Sequence, residues 1–236
     1  MYRSNSELRS RTTLVTLLTT LVFVLAIGGC ATPAGNRAEP VQTVDDVEQK
    51  APVPEPGRPA RVEVEDDVGF TVTEVVSLTG ELRGRYREAL SLLARDDFEG
   101  GIAMLVEITE RASDATAPFV DLGIAYGRTG AFDEAEASFK RALASTPDHP
   151  VAHNELGIVY RKQGNFAAAR QSYQQALEIY PGFHYARRNL AVLCDLYLAD
   201  SECALEHYEI YRESVAEDRE VDIWISDIRN RTAPAG

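Results

Sequence analysis

Two stretches of this 236-residue chain say nearly the same thing. Leu122 to Phe139 reads LGIAYGRTGAFDEAEASF, and Leu156 to Tyr173 reads LGIVYRKQGNFAAARQSY. The interval is 34 residues, and it recurs: Phe98, Phe132 and Phe166 are spaced by 34, as are Gly123 and Gly157. Tyr126 and Tyr160, Gly130 and Gly164, Ala142 and Ala176, and Pro147 and Pro181 keep the same spacing. A fixed period of this length describes an array of like units, none of which buries its apolar face alone. Such a chain must stack.

These residues at this period resemble the tetratricopeptide repeat family, whose unit is a pair of antiparallel helices. The resemblance implies an all-α fold: a short right-handed superhelix of about four helical hairpins over residues 81–216. The match is full for Thr116–His149 and Pro150–Phe183. In Leu82–Ala115, Ala89 stands for the glycine, Leu105 for the aromatic residue and Ser113 for the proline. From His184 onward Leu190 and Ala191 keep register, but Tyr208 falls one residue late, which marks an insertion.

Each signature residue has a mechanical reason. Gly123 and Gly157 let the two helices of a unit approach closely, and Ala135 and Ala169 are small on the facing helix for the same purpose. Tyr126, Tyr160, Phe139 and Tyr173 fill the space between units. Gly130 and Gly164 suit helix C-termini, where a left-handed backbone is needed. Pro147 and Pro181 mark the turn to the next unit, since proline cannot continue a helix interior. The end of a stack needs a cover. Val221, Trp224, Ile225 and Ile228 lie at helical spacing with charge between them, so residues 217–236 read as a capping helix, Glu217 to Arg229, and a tail. Trp224 belongs to that packing, or else anchors a partner.

The other end of the chain is of a different kind. Arg3, Arg9 and Arg11 precede an apolar run from Leu14 to Ile27, the layout of a secretory signal over residues 1–29. Ile27-Gly28-Gly29-Cys30 resembles the lipobox of bacterial lipoproteins, which implies that Cys30 is acylated and becomes the mature N-terminus. Two or more acyl chains hold a protein to a bilayer durably, whereas one holds it weakly. Ala31 in place of aspartate implies, by the same resemblance, the outer membrane, with the body facing the periplasm. Residues 30–60 hold six of the chain's 11 prolines and few large apolar residues, so they read as a disordered leash. Its reach is roughly 30 Å as a coil and roughly 90 Å as polyproline II. Residues 61–80 alternate Val62, Val64, Val68, Phe70 and Val72 with mostly polar neighbours, a strand pattern. An extended lead-in to the first helix is the simplest reading. A hairpin about Asp66 to Gly69, packing on the array and pairing with another protein are the others.

The formal net charge is −13, and cleavage before Cys30 makes it two charges more negative. An acidic chain is a poor ligand for nucleic acid, whose binding rests on Lys and Arg displacing counterions. No phosphate loop, nucleophile elbow or helical His-Glu metal motif is present, so neither catalysis nor a cofactor, metal or small-molecule substrate is expected. His149 and His153 are four apart, but Pro150 puts a turn between them. Cys194 takes the place of a signature tyrosine and Cys203 opens the next helix. They form a disulfide in an oxidising compartment, or remain two small buried thiols.

Function is then expected on a surface. In this family the first helices of the units line a concave groove. On this register its lining includes Tyr86, Val120, Ile124, Arg128, Asn154, Ile158, Arg161, Lys162, Tyr185 and Arg188. Four of these are cationic, which suits an acidic or extended segment of a protein partner. The family's carboxylate clamp is not reproduced, because Tyr86 and Leu90 stand at its first-unit positions. Outer-membrane lipoproteins of this build serve as pilots of pili and secretins, assembly factors and adaptors of peptidoglycan hydrolases.

Overall fold

The computed structural model describes residues 60–65, 69–74 and 78–233; the signal sequence, Cys30 and most of the leash lie outside them. The described chain opens with two strands, β1 (Ala60–Glu65) and β2 (Gly69–Glu74), followed by nine helices. These pair off as α1 (Gly80–Leu93) with α2 (Phe98–Arg111), α3 (Thr116–Thr129) with α4 (Phe132–Ser145), α5 (Pro150–Lys162) with α6 (Phe166–Ile179), and α7 (His184–Leu196) with α8 (Ser201–Ser214). The last helix, α9 (Arg219–Thr232), packs on α8. Among the described residues no helix is long and apolar enough to cross a membrane.

The helices start and stop where local chemistry tells them to. Asp97, Asn165, Asp200 and Asp218 cap α2, α6, α8 and α9, each side-chain oxygen accepting a backbone N–H from three residues on. His149 caps α5 through its ring, with Nδ1 accepting from the Ala152 amide at 3.2 Å. At the hairpin turns the N–H of Asp97, Ala131 and Asn165 reaches back five residues to the carbonyl of Leu92, Tyr126 and Tyr160, at 3.0, 3.0 and 2.8 Å. That bond is the signature of a left-handed helix end. The residue in the left-handed region is Asp96 (φ 62°), Gly130 (85°), Gly164 (78°) and Ala199 (51°) in turn. The spacing is 34, 34 and 35, so the extra residue of the fourth unit sits in its turn, after Cys194.

Within each unit the helices meet through a glycine and a ring. A Cβ on Gly123 would lie 2.7 Å from the Phe139 ring, and one on Gly157 would lie 2.6 Å from that of Tyr173. The first unit reverses the arrangement. Ala89 replaces the glycine on α1, and the glycine reappears on the facing helix as Gly101, where a Cβ would collide with Leu93. Leu105, smaller than an aromatic ring, leaves room for the Ala89 methyl, and both are fully buried. Among the described residues all four apolar clusters run across unit boundaries, and the one at the C-terminal end collects Tyr173, Leu190, Leu193, Tyr208, Val221, Ile225 and Ile228. Val221, Ile225 and Ile228 thus cover the end of the stack, and Trp224 packs at 5.4 Å from the Tyr208 ring.

Two features bear on alternatives that the sequence left open. The valine-rich segment is not a single extended lead-in: β1 and β2 pair antiparallel, with Val62 opposite Val72 and Val64 opposite Phe70. A lone strand would leave its backbone groups unpaired, and the ribbon pairs them internally. The all-α description therefore holds for residues 78–233, with a ribbon ahead of it. In the fourth unit Cys194 and Cys203 are joined in a disulfide, with Cα atoms 5.9 Å apart, across the lengthened turn.

Two measurements check this account. Gly157→Ala gains helix propensity but drives a methyl into Tyr173, and should lower unfolding free energy by about 1–3 kcal/mol in urea titration. Replacing Cys194 and Cys203 by serine should cost about 2–3 kcal/mol, the loop-closure value for so short a loop. Dithiothreitol should lower the melting temperature of the natural protein and leave that of the serine variant unchanged.

Candidate functional site

The first helices of the units lie side by side, with α3 against α5 and α5 against α7. A ladder of polar contacts runs along this face. The Tyr86 hydroxyl of α1 donates to Asp121 Oδ2 of α3. Asn189 Nδ2 of α7 donates to Asn154 Oδ1 of α5 at 2.9 Å, and Asn154 Nδ2 donates to Glu155 Oε1 at 3.1 Å. Asn154 is only 3% exposed. Its amide therefore joins the third unit to the fourth, where the sequence suggested a directional contact for a partner.

The cationic positions divide into two kinds. Arg161 is turned inward: Nε donates to the Tyr173 hydroxyl at 3.4 Å and Nη1 to that of Tyr197 at 3.3 Å, with the guanidinium 5.6 Å from the Tyr197 ring centre. Arg188 lies over Trp224 at 5.0 Å, with Asp218 and Glu220 at 3.7 and 3.5 Å. Both side chains hold the fourth unit and α9 in place. The expected basic strip is therefore shortened, and its exposed cations are Arg128 and Lys162. The physical reason is reach: a long guanidinium beside an aromatic ring of the next unit gains more there than in water.

Of the apolar positions, Val120 is buried within the second unit, while Ile124 and Ile158 are half-buried and flank the cores. Tyr185 is 41% exposed, its ring 4.1 Å from His184 and 6.1 Å from Phe183. Tyr86 is half-buried and bound to Asp121.

Two residues that the sequence reading passed over belong to the same face. Burial pushes the Asp121 carboxyl up to about 6, an effect the Tyr86 hydroxyl partly offsets. Burial pushes the Glu155 carboxyl up to about 7, against the pull of the Asn154 amide and of Arg128. Both occupy one repeat position, which reads Arg87, Asp121, Glu155 and Asn189 through the four units. A polar residue at every turn of the repeat was the available signal. The face is thus an apolar and hydroxyl-lined surface with two half-buried carboxyls and two exposed cations.

Among the described residues, the histidine pair and the cysteine cluster already have partners within the protein. His149 is the cap of α5 and burial pushes its ring down to about 4, while His153 Nε2 donates to the Pro147 carbonyl at 2.8 Å. Cys194, Asp200 and Cys203 bring their ligand atoms within 4.8 Å of one another. The two sulfurs are bonded to each other, so the cluster offers a cation one carboxylate, and that carboxylate caps α8.

Among family models, residues 120–182 match the tetratricopeptide repeat. Residues 120–182 carry the tetratricopeptide repeat. Solved tetratricopeptide structures share their arrangement. MamA 41-end from Desulfovibrio magneticus RS-1 superimposes with a TM-score of 0.60 at 18% identity, over 66% of this chain and 87% of that one. PilF of Pseudomonas aeruginosa gives 0.58 at 18% identity, over 64% and 68%. TTC0263, a thermophilic TPR protein of Thermus thermophilus, gives 0.54 at 21%, over 63% and 81%. At these identities the likeness is one of fold. Among curated proteins no sequence match is found. Tetratricopeptide repeats are scaffolds for protein–protein interaction, which makes the first-helix face the candidate interface.

The half-buried carboxyls set a pH dependence. The unfolded chain releases both protons near pH 4, whereas the folded chain holds them to about 6 and 7. Stability is therefore lost as pH rises through that window. Replacing Asp121 by Asn and Glu155 by Gln removes the loss. The double variant should melt several degrees above the natural protein at pH 8 and level with it at pH 4, as followed by circular dichroism.

Proposed function

We propose that this protein is a membrane-tethered adaptor on the periplasmic face of a bacterial outer membrane, holding a protein partner on the first-helix face of its repeats. The observation that carries the reading is that face: four aligned first helices with half-buried Ile124 and Ile158, exposed Tyr185, and the exposed cations Arg128 and Lys162. Such a surface binds an extended polypeptide through its apolar floor and selects it through its rim charges. The lipobox ending in Cys30 supplies the tether and the proline-rich leash the distance. The disulfide between Cys194 and Cys203 suits an oxidising compartment. The partner belongs to a cell-envelope complex, and a pilot of a secretion or pilus assembly or a regulatory subunit of an envelope enzyme is the finer form of this reading. On this reading the protein acts by binding, and the Asp121 and Glu155 carboxyls are engaged by Tyr86 and Asn154.

One observation favours a second reading, a spacer without a bound partner: Arg161 and Arg188 are spent inside the protein. Crosslinking in whole cells decides between them. The adaptor yields a partner band that Arg128→Glu with Lys162→Glu weakens at least several-fold, whereas the spacer yields the same pattern for both proteins. Cys30→Ser should abolish processing and release the protein from the membrane fraction; a mutant still processed and retained there refutes the tether.

A further inference from the structure

The ribbon ahead of the repeats meets them at Phe70. Phe70 of β2 is half-buried, its ring centre 5.4 Å from that of Tyr180 and 5.7 Å from that of Phe183, edge-on to both. Tyr180 follows α6 and Phe183 precedes α7, so the cleft lies where the third unit meets the fourth. Val151, Ala176, Leu177 and Ala186 complete it. Val151 and Tyr185, which stands beside Phe183, are first-helix positions of the candidate interface.

The placement is unusual for a segment so near α1 in sequence. Residues 75–79 join β2 to α1, in the first unit, yet Phe70 is seated two units further along. Through Phe70 the ribbon reaches an aromatic cleft at the third and fourth units. β1 and β2 pair with each other, and the Phe70 side chain packs on the repeats. A segment on a short tether can leave and return, because the tether keeps its local concentration high.

We propose that β2 is a tethered, displaceable ligand of the cleft: Phe70 fills a docking site for an extended, aromatic-bearing segment of a partner, and the partner enters as the ribbon leaves. The edge-on packing of three rings explains why an aromatic anchor is required. The pairing of Gly69–Glu74 with β1 shows that the seated segment is extended. The resident segment lowers the affinity that any incoming segment displays, by the fraction of time the cleft is closed. This deepens the adaptor reading and rests on it for the partner, but the seating itself needs neither the lipid nor the envelope complex.

The test uses the full chain in detergent and a fluorescein-labelled synthetic peptide of residues 61–74. Phe70→Ala empties the cleft, so the labelled peptide should bind that variant at least tenfold more tightly than the natural protein. The same peptide with alanine at its phenylalanine should fail to bind. Adding Phe183→Ala to the Phe70→Ala variant should abolish uptake, with helix content by circular dichroism as the control for folding. Hydrogen–deuterium exchange gives an independent readout, because residues 176–186 should exchange faster in Phe70→Ala than in the natural protein. Equal peptide affinity for the two proteins, no binding to either, or unchanged exchange over 176–186 would each overturn the proposal. Loss of membrane retention or of the envelope partner bears on the adaptor reading alone and leaves this result standing.

Discussion

The fit of a ring against a bare backbone holds this structure together. Phe139 lies against Gly123 and Tyr173 against Gly157, closer than any side chain on the glycine would permit. Two helices that meet so closely bury little else between them, and the rings spend their remaining surface on the neighbouring unit. That is why Phe139 and Tyr173 are fully buried although each unit is only two helices thick. Remove the approach and the units lose their shared cores before they lose their helices. The end units satisfy the same demand with other residues. The first moves its glycine to α2 and shrinks its ring to Leu105. The fourth pairs Ala191 with a Tyr208 displaced by one residue, and bridges the lengthened turn covalently.

Electrostatics follows from that packing. An acidic chain has few cations to spare, and this one sets two of them against rings and carboxylates at its C-terminal end. Arg161 links α5 to the turn after α7, and Arg188 links α7 to α9. These pairs are partly exposed, so their worth lies in fixing the orientation of neighbours more than in Coulomb energy. The opposite situation holds for Asp121 and Glu155. Their side chains are half-buried on the first-helix face, and hydroxyl and amide partners offset the loss of water there.

Much of this was legible in the residues. The period fixed the units, the glycines at 130 and 164 fixed the turns, and Val221, Ile225 and Ile228 revealed the cap, because each is a local rule of backbone or periodicity. The fate of the polar side chains was not legible. Arg161 and Arg188 sit at positions that line the groove in relatives, and nothing nearby in sequence tells a guanidinium that Tyr197 or Trp224 will be within reach. Asn154 was read as a contact for a partner and is instead a contact for Asn189, 35 residues away. The ribbon was half visible. Its alternation announced strands, but its seat beside Tyr180 and Phe183 depends on contacts more than a hundred residues distant.

The covalent bridge in the fourth unit gives the stack a direction. In a linear array each unit leans only on its neighbours, so loss of structure starts at an end and travels inward. At the C-terminal end the bridged turn and α9 stand in the way. At the other end the first unit lacks the aromatic wedge. Heat, a pulling force or a protease should therefore unzip the array from α1 toward α8, and the N-terminal half yields first while the C-terminal half keeps its shape.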